Sequence, residues 1–303
     1  MGQVVYVLTG DSATAARPYL EGMRLSILSL RRVDPDVVVH CFCDLSMDQY
    51  FRSNHHSWIE LVDRWVVCAE ATGGAVHRSR FIKTSLRGRI SGPFVYLDTD
   101  SVVTGPLDEL FACKRDFGLT LDRFFPDRPG AFPGWLASHY RRLGWSPSEN
   151  YCAGGVFWVA DNAQTHRFFE TWHARWRETV QMGLVADQPS LNRAVAEVEP
   201  GVELYPETFN FLVGRVERPL PTGVRLVSFL ASQGEPPLVE YQALLERLGN
   251  GGHVPCEELM GILQAGTILP KQSRTWLTEW KRRFSEATQQ TAARLGLRDA
   301  SNQ

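Results

Sequence analysis

The chain opens with short apolar runs separated by longer segments in which apolar residues recur every three or four positions. Val4 to Leu8 reads as a buried strand and is followed by the polar stretch Thr9-Gly10-Asp11-Ser12. From about Ala15 to Arg31, the residues Leu20, Met23, Ile27 and Leu30 fall on one helical face. Val37 to Phe42 predicts a second strand, Ile59 to Val67 a third, His77 to Arg89 a helix, and the run from Phe94 a fourth strand. Strands spaced by helices of this length imply βαβ units and a largely parallel sheet. The first third therefore reads as a nucleotide-binding α/β half.

Beyond it, Phe117 to Leu121 and Gly154 to Val159 have strand character, and Asn162 to Val180 and Ala186 to Val195 are helical. Between the two strands, residues 126–147 hold four prolines, three glycines and the aromatics Phe132, Trp135, Tyr140 and Trp145. Such a stretch predicts a long loop with its own short helix, a lid or binding element. Val224 to Leu230 is the last candidate strand. After Pro236 the pattern turns helical over Leu238–Leu248, Cys256–Gln264 and Ser273 to about Leu295. The organisation predicted is thus a domain over residues 1–235 and a helical C-terminal extension over 236–303.

The 303 residues are 44% hydrophobic, enough for a substantial core. Lys plus Arg number 32 against 34 for Asp plus Glu, so no bulk basicity argues for nucleic acid. The six cysteines are scattered without zinc spacing, and reduced thiols in a cytoplasmic protein without a signal peptide are expected. No apolar stretch reaches the ~20 residues of a membrane span. No Walker-type loop, no Gly-x-Gly-x-x-Gly after the first strand and no Gly-x-Ser-x-Gly elbow is present.

The strand Phe94-Val95-Tyr96-Leu97 ends in Asp98-Thr99-Asp100. Ligands of open α/β sheets collect beyond the carboxyl ends of strands. Two carboxylates there repel each other unless a cation lies between them, and hard divalent ions favour oxygen ligands. Asp34-Pro35-Asp36 has the same spacing but precedes its strand and contains a turn proline, so it reads as a solvated loop. For Asp98 and Asp100 a plain strand-end turn is the alternative.

Taken in order, several segments resemble the metal-dependent sugar-nucleotide transferases of the GT-A fold. They are Val4 to Thr9; Arg80 and Lys83 on the helix before the Asp strand; Tyr96 to Asp100; Tyr151-Cys152-Ala153-Gly154-Gly155-Val156-Phe157; Asp187 to Asn192; and Phe209-Asn210. The resemblance is greatest to family 8, the glycogenin and bacterial lipooligosaccharide galactosyltransferase type, and covers about residues 3 to 235. It implies an α/β fold of GT-A type, with a Rossmann-like mixed sheet flanked by helices. It also implies transfer of a hexose from a UDP-sugar to an acceptor hydroxyl, with Mn²⁺ or Mg²⁺ and retention of configuration.

Under that resemblance Asp98 and Asp100 hold the metal, Asp187 faces sugar hydroxyls and Gln188 lies near the reaction centre. Donor contacts fall to Thr9, Gly10, Arg80, Lys83, Asp98, Thr99, Gly154 and Gly155. Each has a plainer alternative: a solvated helix face for Arg80 and Lys83, a bulge for Gly154-Gly155, a helix cap for Asp187. Two departures stand out. Ser228 and Glu235 occupy positions where the family carries a metal-binding His and a Lys, and Ala153 stands where Asn is usual. The third metal ligand is then absent, a water, or His253.

The acceptor is a glycan, a lipid-linked sugar or a protein, with the aromatic loop from Phe124 to Trp145 and the helical tail as its natural binding elements. The stripe Trp276, Trp280 and Phe284 beside Lys281, Arg282 and Arg283 packs on the domain or a second copy, or meets the inner membrane face. His166, His173 and His55-His56 read as surface or hydrogen-bonded, and Trp172 with Trp176 as core anchors. Competing functions are an inverting transferase, a sugar-nucleotide-binding protein without turnover, and, third, a nucleotidyltransferase.

Overall fold

A computed structural model describes residues 2–54, 57–123, 125, 128–213 and 221–229. The extension expected over 236–303, with His253 and the aromatic stripe, lies outside the described residues, as do Glu235, Phe124, His55 and His56. The described elements are β1 (Gln3–Leu8), α1 (Ala13–Val33), β2 (Val38–Cys43), α2 (Leu45–Asn54), β3 (Arg64–Val67), α3 (Ala75–Thr84), β4 (Phe94–Leu97) and β5 (Ser101–Val103). There follow α4 (Asp108–Phe111), β6 (Phe117–Leu121), α5 (Ala137–Arg142), β7 (Cys152–Val159), α6 (Ala163–Gln181), α7 (Gln188–Val198), β8 (Val202–Tyr205), β9 (Phe211–Val213) and β10 (Leu226–Phe229).

A seven-stranded sheet runs β3-β2-β1-β4-β7-β6-β8, and a three-stranded sheet runs β5-β10-β9. Both faces of the large sheet are covered, which is why its central strands are continuous apolar runs rather than alternating ones. From β1, Val4, Tyr6 and Leu8 join one core with Leu20, Met23, Ile27 and Leu30 of α1. Val5 and Val7 face the other core with Ile82 of α3 and Phe168, Phe169 and Trp172 of α6. The predicted face of α1 is thus the buried one. Its N-cap is Ser12, which accepts from the Ala15 N–H at 3.2 Å. Helix α6 starts on a capping box, Asn162 with Thr165, worth about 1 kcal/mol.

The parallel expectation holds for β3-β2-β1-β4, and the sheet then changes sense. Strand β7 is antiparallel to both β4 and β6. The long excursion after β6 leaves and returns at the same edge, so β7 must run back. The reversal brings the start of β7, with Gly154-Gly155, beside the carboxyl end of β4: the Asp98 N–H donates to the Gly155 carbonyl at 2.8 Å.

Several boundaries differ from the sequence reading. Ile59–Val67 is a strand only from Arg64, after a 3₁₀ turn over Ser57–Leu61. Arg31 binds the Leu61 carbonyl and Asp63 there and breaks the run. Leu226–Phe229 belongs to the small sheet, not the large one. The helix expected over Ala186 to Val195 begins two residues later, at Gln188, with Pro189 in its first turn, and runs on to Val198. Asp34-Pro35-Asp36 is the expected turn between α1 and β2. Cys41, Cys43, Cys68, Cys113 and Cys152 are free and buried. Among the described residues no helix is long and apolar enough to cross a membrane.

Candidate functional site

A cleft with a cavity volume of about 150 Å³ opens at the carboxyl ends of β1 and β4. Thr9, Arg80, Asp98, Thr99 and Asp100 line it, together with Tyr19 and Val76, which the sequence did not single out. The Thr9 hydroxyl donates to the Ala75 carbonyl at 2.8 Å, fastening the exit of β1 to the start of α3. Gly10 does not line the cleft. A Cβ there would lie 2.6 Å from that of Ala16, and its N–H donates to Asp44, so the glycine serves the close packing of the loop. Asp44 is 1% exposed and also takes the Met47 N–H and Arg78 Nε at 2.6 Å. Its signal in the sequence was the one that marks Asp98: an acid directly after an apolar strand.

Arg80 and Lys83 are not on a solvated face. Lys83 is 2% exposed, with Nζ 3.2 Å from Asp98 Oδ1, 3.1 Å from Asp187 Oδ2 and 4.6 Å above the Tyr96 ring. Arg80 Nε lies 3.0 Å from Asp187 Oδ1. One ammonium therefore joins the acid after β4 to the acid before α7. Burial alone would raise the Asp187 pKa, but Lys83 and then Arg80 outweigh it and hold the carboxyl below its ordinary value. Burial opposes the charge of Arg80, yet Asp187 and then Asp98 keep its pKa above the ordinary value. Asp187 is the N-cap residue of α7 but makes no side-chain cap bond to it; its carboxylate is turned to Lys83 and Arg80.

Asp98 Oδ1 also accepts from the Tyr96 hydroxyl at 2.5 Å, and burial followed by the Asp98 charge keeps that hydroxyl protonated well above its usual range. Asp98 Oδ2 and the Asp100 carboxylate make no ion pair with a described residue. Burial, and then the neighbouring Asp98, push the Asp100 pKa up to about 7. Two carboxylates so placed, one with an oxygen left over and one short of countercharge, suit a hard divalent cation. Among the described residues no third metal-ligating side chain completes a cluster. Ser228, where a His was expected, donates to Asn210 Oδ1 at 2.8 Å and lies 3.3 Å from the Ser101 hydroxyl. Asn210 in turn donates to Thr120 at 3.1 Å. Ser228 is thus engaged in a buried neutral chain of hydrogen bonds.

At the start of β7, a Cβ on Gly155 would stand 3.1 Å from Asp98 Oδ2, and one on Gly154 would meet Asp187 Oδ2 and Lys83 Nζ at 3.7 Å. The missing side chains leave backbone open beside both acids. Gln188 Oε1 accepts the Gly154 N–H at 3.2 Å, and its Nε2 donates to Asp122 Oδ2 at 2.5 Å. Asp122, 4% exposed, is a further residue that the sequence reading passed over.

The aromatic loop is not an open sugar platform. Leu136, Tyr140 and Trp145 form a small core with Tyr151 and Leu184, and Phe132 and Trp135 pack against it. The Tyr140 hydroxyl donates to the Pro189 carbonyl at 2.8 Å, so the loop props the first turn of α7. Trp172 and Trp176 are core anchors as expected, donating to the Asp187 and Val185 carbonyls. His173 bonds Thr84, and His166 pairs with Asp161.

No family model and no curated protein matches the sequence. Solved structures match the fold. The galactosyltransferase LgtC, in complex with donor and acceptor sugar analogs, has a TM-score of 0.55 at 15% identity, over 91% of this chain and 99% of that one. Glycosyltransferase GlyE of Streptococcus pneumoniae TIGR4 gives 0.53 at 12% identity, over 90% and 67%. Mouse xyloside xylosyltransferase 1 gives 0.50 at 12% identity, over 75% and 97%. The α/β architecture with a mixed seven-stranded sheet is therefore that of GT-A glycosyltransferases.

Proposed function

We propose that this chain is a metal-dependent glycosyltransferase that moves a hexose from a UDP-sugar to an acceptor hydroxyl with retention of configuration. One observation carries the reading. Residues picked out separately along the sequence, Arg80, Lys83, Asp98, Asp187 and the Gly154 backbone, meet around a single buried ammonium at the carboxyl edge of a GT-A sheet.

In this reading Asp98 Oδ2 and Asp100 hold Mn²⁺ or Mg²⁺, which as a Lewis acid stabilises the diphosphate leaving group. Thr9, Thr99 and the exposed apolar rim of Tyr19 and Val76 receive the nucleoside. Arg80 and Lys83 place positive charge next to the diphosphate and sugar. They also keep Asp187 ionised, so that it accepts hydrogen bonds from sugar hydroxyls. Gly154 and Gly155 let the sugar lie against backbone, and Gln188 presents its amide oxygen near the anomeric carbon. With retention, leaving phosphate and acceptor hydroxyl meet on the same face and no separate base is needed. An inverting reaction would need a carboxylate base on the opposite face.

We place the protein in the cytoplasm, a compartment that its buried free thiols suit. Residues 236–303 are assigned to acceptor, membrane-surface or subunit contacts.

The test is donor hydrolysis and transfer across a panel of UDP-sugars with Mn²⁺, offered glycan, lipid-linked and protein hydroxyls, beside the Asp100→Ala variant. Turnover of one donor that the variant loses supports the reading, and NMR of the product anomer separates retention from inversion. Tight UDP-sugar binding without turnover would make the chain a binding protein instead.

A further inference from the structure

The Gln188 amide is held from both ends. Its Oε1 accepts the Gly154 N–H at 3.2 Å, and its Nε2 donates to Asp122 Oδ2 at 2.5 Å. The buried Tyr151 hydroxyl is a further hydrogen-bond partner of the same side chain. An amide carbonyl has two lone pairs, so one on Oε1 is left over. That oxygen lies beside Gly154, whose absent Cβ opens a space bounded by Asp187, Lys83 and Gln188 itself.

We infer that Asp122 is the positioning residue of the site: its carboxylate fixes the Gln188 amide so that a carbonyl oxygen, not an NH₂ group, faces the sugar. The inference rests on the proposed sugar transfer. Without an acceptor at 122, only the Gly154 N–H distinguishes the two amide orientations, because the Tyr151 hydroxyl can either donate or accept. A flipped Gln188 would set its NH₂ against the Gly154 N–H, donor to donor, and turn positive hydrogens toward an anomeric carbon that gains positive charge as the diphosphate departs. A carbonyl oxygen in that place stabilises the charge, which is where preoriented dipoles act most strongly.

Asp122 itself is set by backbone. Its N–H donates to the Tyr151 carbonyl, and its carbonyl accepts the Gly130 N–H, each at 2.8 Å. These bonds do not involve the carboxylate and survive its replacement. The chemistry of the pair can therefore be inverted without moving the chain. Gln188→Glu alone would set two carboxylates against each other, an arrangement that like-charge repulsion disfavours. Adding Asp122→Asn supplies an NH₂ donor to the new glutamate, whose other oxygen keeps the Gly154 N–H.

The experiment is a double-mutant cycle on the full chain. Initial rates with the turned-over UDP-sugar are measured together with UDP binding by calorimetry, as a check that each variant is folded. Asp122→Ala is expected to lower kcat by about tenfold or more, with donor KM within about twofold. Gln188→Glu is expected to fall at least as far, and Asp122→Asn/Gln188→Glu to recover about tenfold over Gln188→Glu. In ¹⁵N spectra the Gln188 side-chain NH₂ pair should shift in Asp122→Ala and persist in Asp122→Asn. A double variant no faster than Gln188→Glu would overturn the assignment. So would Gln188 resonances indifferent to Asp122→Ala. If the wild-type chain turns over no UDP-sugar, the proposed function fails, while the spectra still decide whether Asp122 orders Gln188.

Discussion

Lys83 Nζ lies 3.1 Å from Asp187 Oδ2, with the lysine side chain 2% and the aspartate side chain 8% exposed. Neither charge is free to return to water, so the pair is worth more as a joint arrangement than either residue alone. Removing one partner of a buried pair typically costs about 3–5 kcal/mol, because the other charge stays behind. Arg80 remains beside Asp187 and softens that cost. Lys83→Met is therefore expected to lower the unfolding free energy by about 2–3 kcal/mol, with urea denaturation as the measurement. An unchanged midpoint would mean that Lys83 swings clear of both acids in solution.

The carboxylate pair makes a statement about the cation. Asp98 gives one oxygen to Tyr96 and Lys83, and Ser228 is already committed to Asn210, so the described residues offer few ligands. Mg²⁺ and Mn²⁺ sites of this kind rely on substrate phosphates to complete the shell. Mn²⁺ followed by electron paramagnetic resonance is expected to bind at least about tenfold more tightly with UDP present, and UDP to gain the same factor from Mn²⁺. Removal of the metal with a chelator should abolish turnover. Tight binding of Mn²⁺ alone would point to a further ligand from elsewhere in the chain.

The two adjacent glycines should respond differently to a methyl group. A Cβ on Gly154 would make ordinary contacts at 3.7 Å, so Gly154→Ala should fold normally and raise donor KM by filling the sugar space. A Cβ on Gly155 would lie 3.1 Å from Asp98 Oδ2, so that carboxylate must give way. Gly155→Ala is expected to weaken Mn²⁺–UDP binding by about tenfold while leaving the melting temperature within a few degrees. Equal effects of both substitutions on metal binding would contradict this division.

Acid should destabilise the protein in two stages. His40 is 5% exposed, with neither ring nitrogen hydrogen-bonded, and burial holds its pKa below the ordinary 6.5. His139 and His173 are lowered for the same first reason. The unfolded chain then binds protons that the folded one refuses, so stability is fully present above pH 6.5 and falls as the pH drops below it. Asp187, also lowered, contributes stability above its ordinary 3.8 that is lost on further acidification. Asp100, its pKa pushed up to about 7, works the other way, because the folded chain takes up that proton before the unfolded one and gains stability as the pH falls towards 3.8. Urea midpoints from pH 7.5 to 3 in an Asp100→Asn background should therefore trace both stages, and His40→Phe should flatten the first. A flat profile between pH 7 and 5 in that background would refute the burial argument for the histidines.

Much of the fold was legible because its strands are buried on both faces, and apolar runs followed by helical periodicity are hard to read otherwise. Of the small sheet only β10 was legible, within the run Val224 to Leu230; β5 and β9 are three residues each, too short to show any period. At the site, Asp98 and Asp100 were marked by charge directly after an apolar strand, whereas Arg80, Lys83 and Asp187 were picked out only by the order of motifs that resembles the GT-A transferases. Asp122 and Asp44 carried the same mark but no neighbouring motif. Tyr19 sits in a helix whose buried face dominates the pattern, so its cleft-lining role shows only once α1 and α3 meet the cleft from opposite faces of the sheet. The acid pair's partners were invisible for another reason: hydrogen bonds such as Ser228 to Asn210 depend on which strands become neighbours.

Asp98 ends a strand of the large sheet, whereas Asp100 leads into β5 of the small one and accepts the Phe229 N–H from β10. The two acids thus straddle a seam, crossed behind them by the Thr120–Asn210–Ser228 relay. Thr99 and a turn closed by the Ser101 N–H on the Asp98 carbonyl at 3.1 Å set how far apart their backbones lie. Each acid is nevertheless anchored to a different sheet. Substitutions well away from the cleft that loosen the relay between the sheets therefore act on one anchor and not the other, and are expected to show as a change in cation grip.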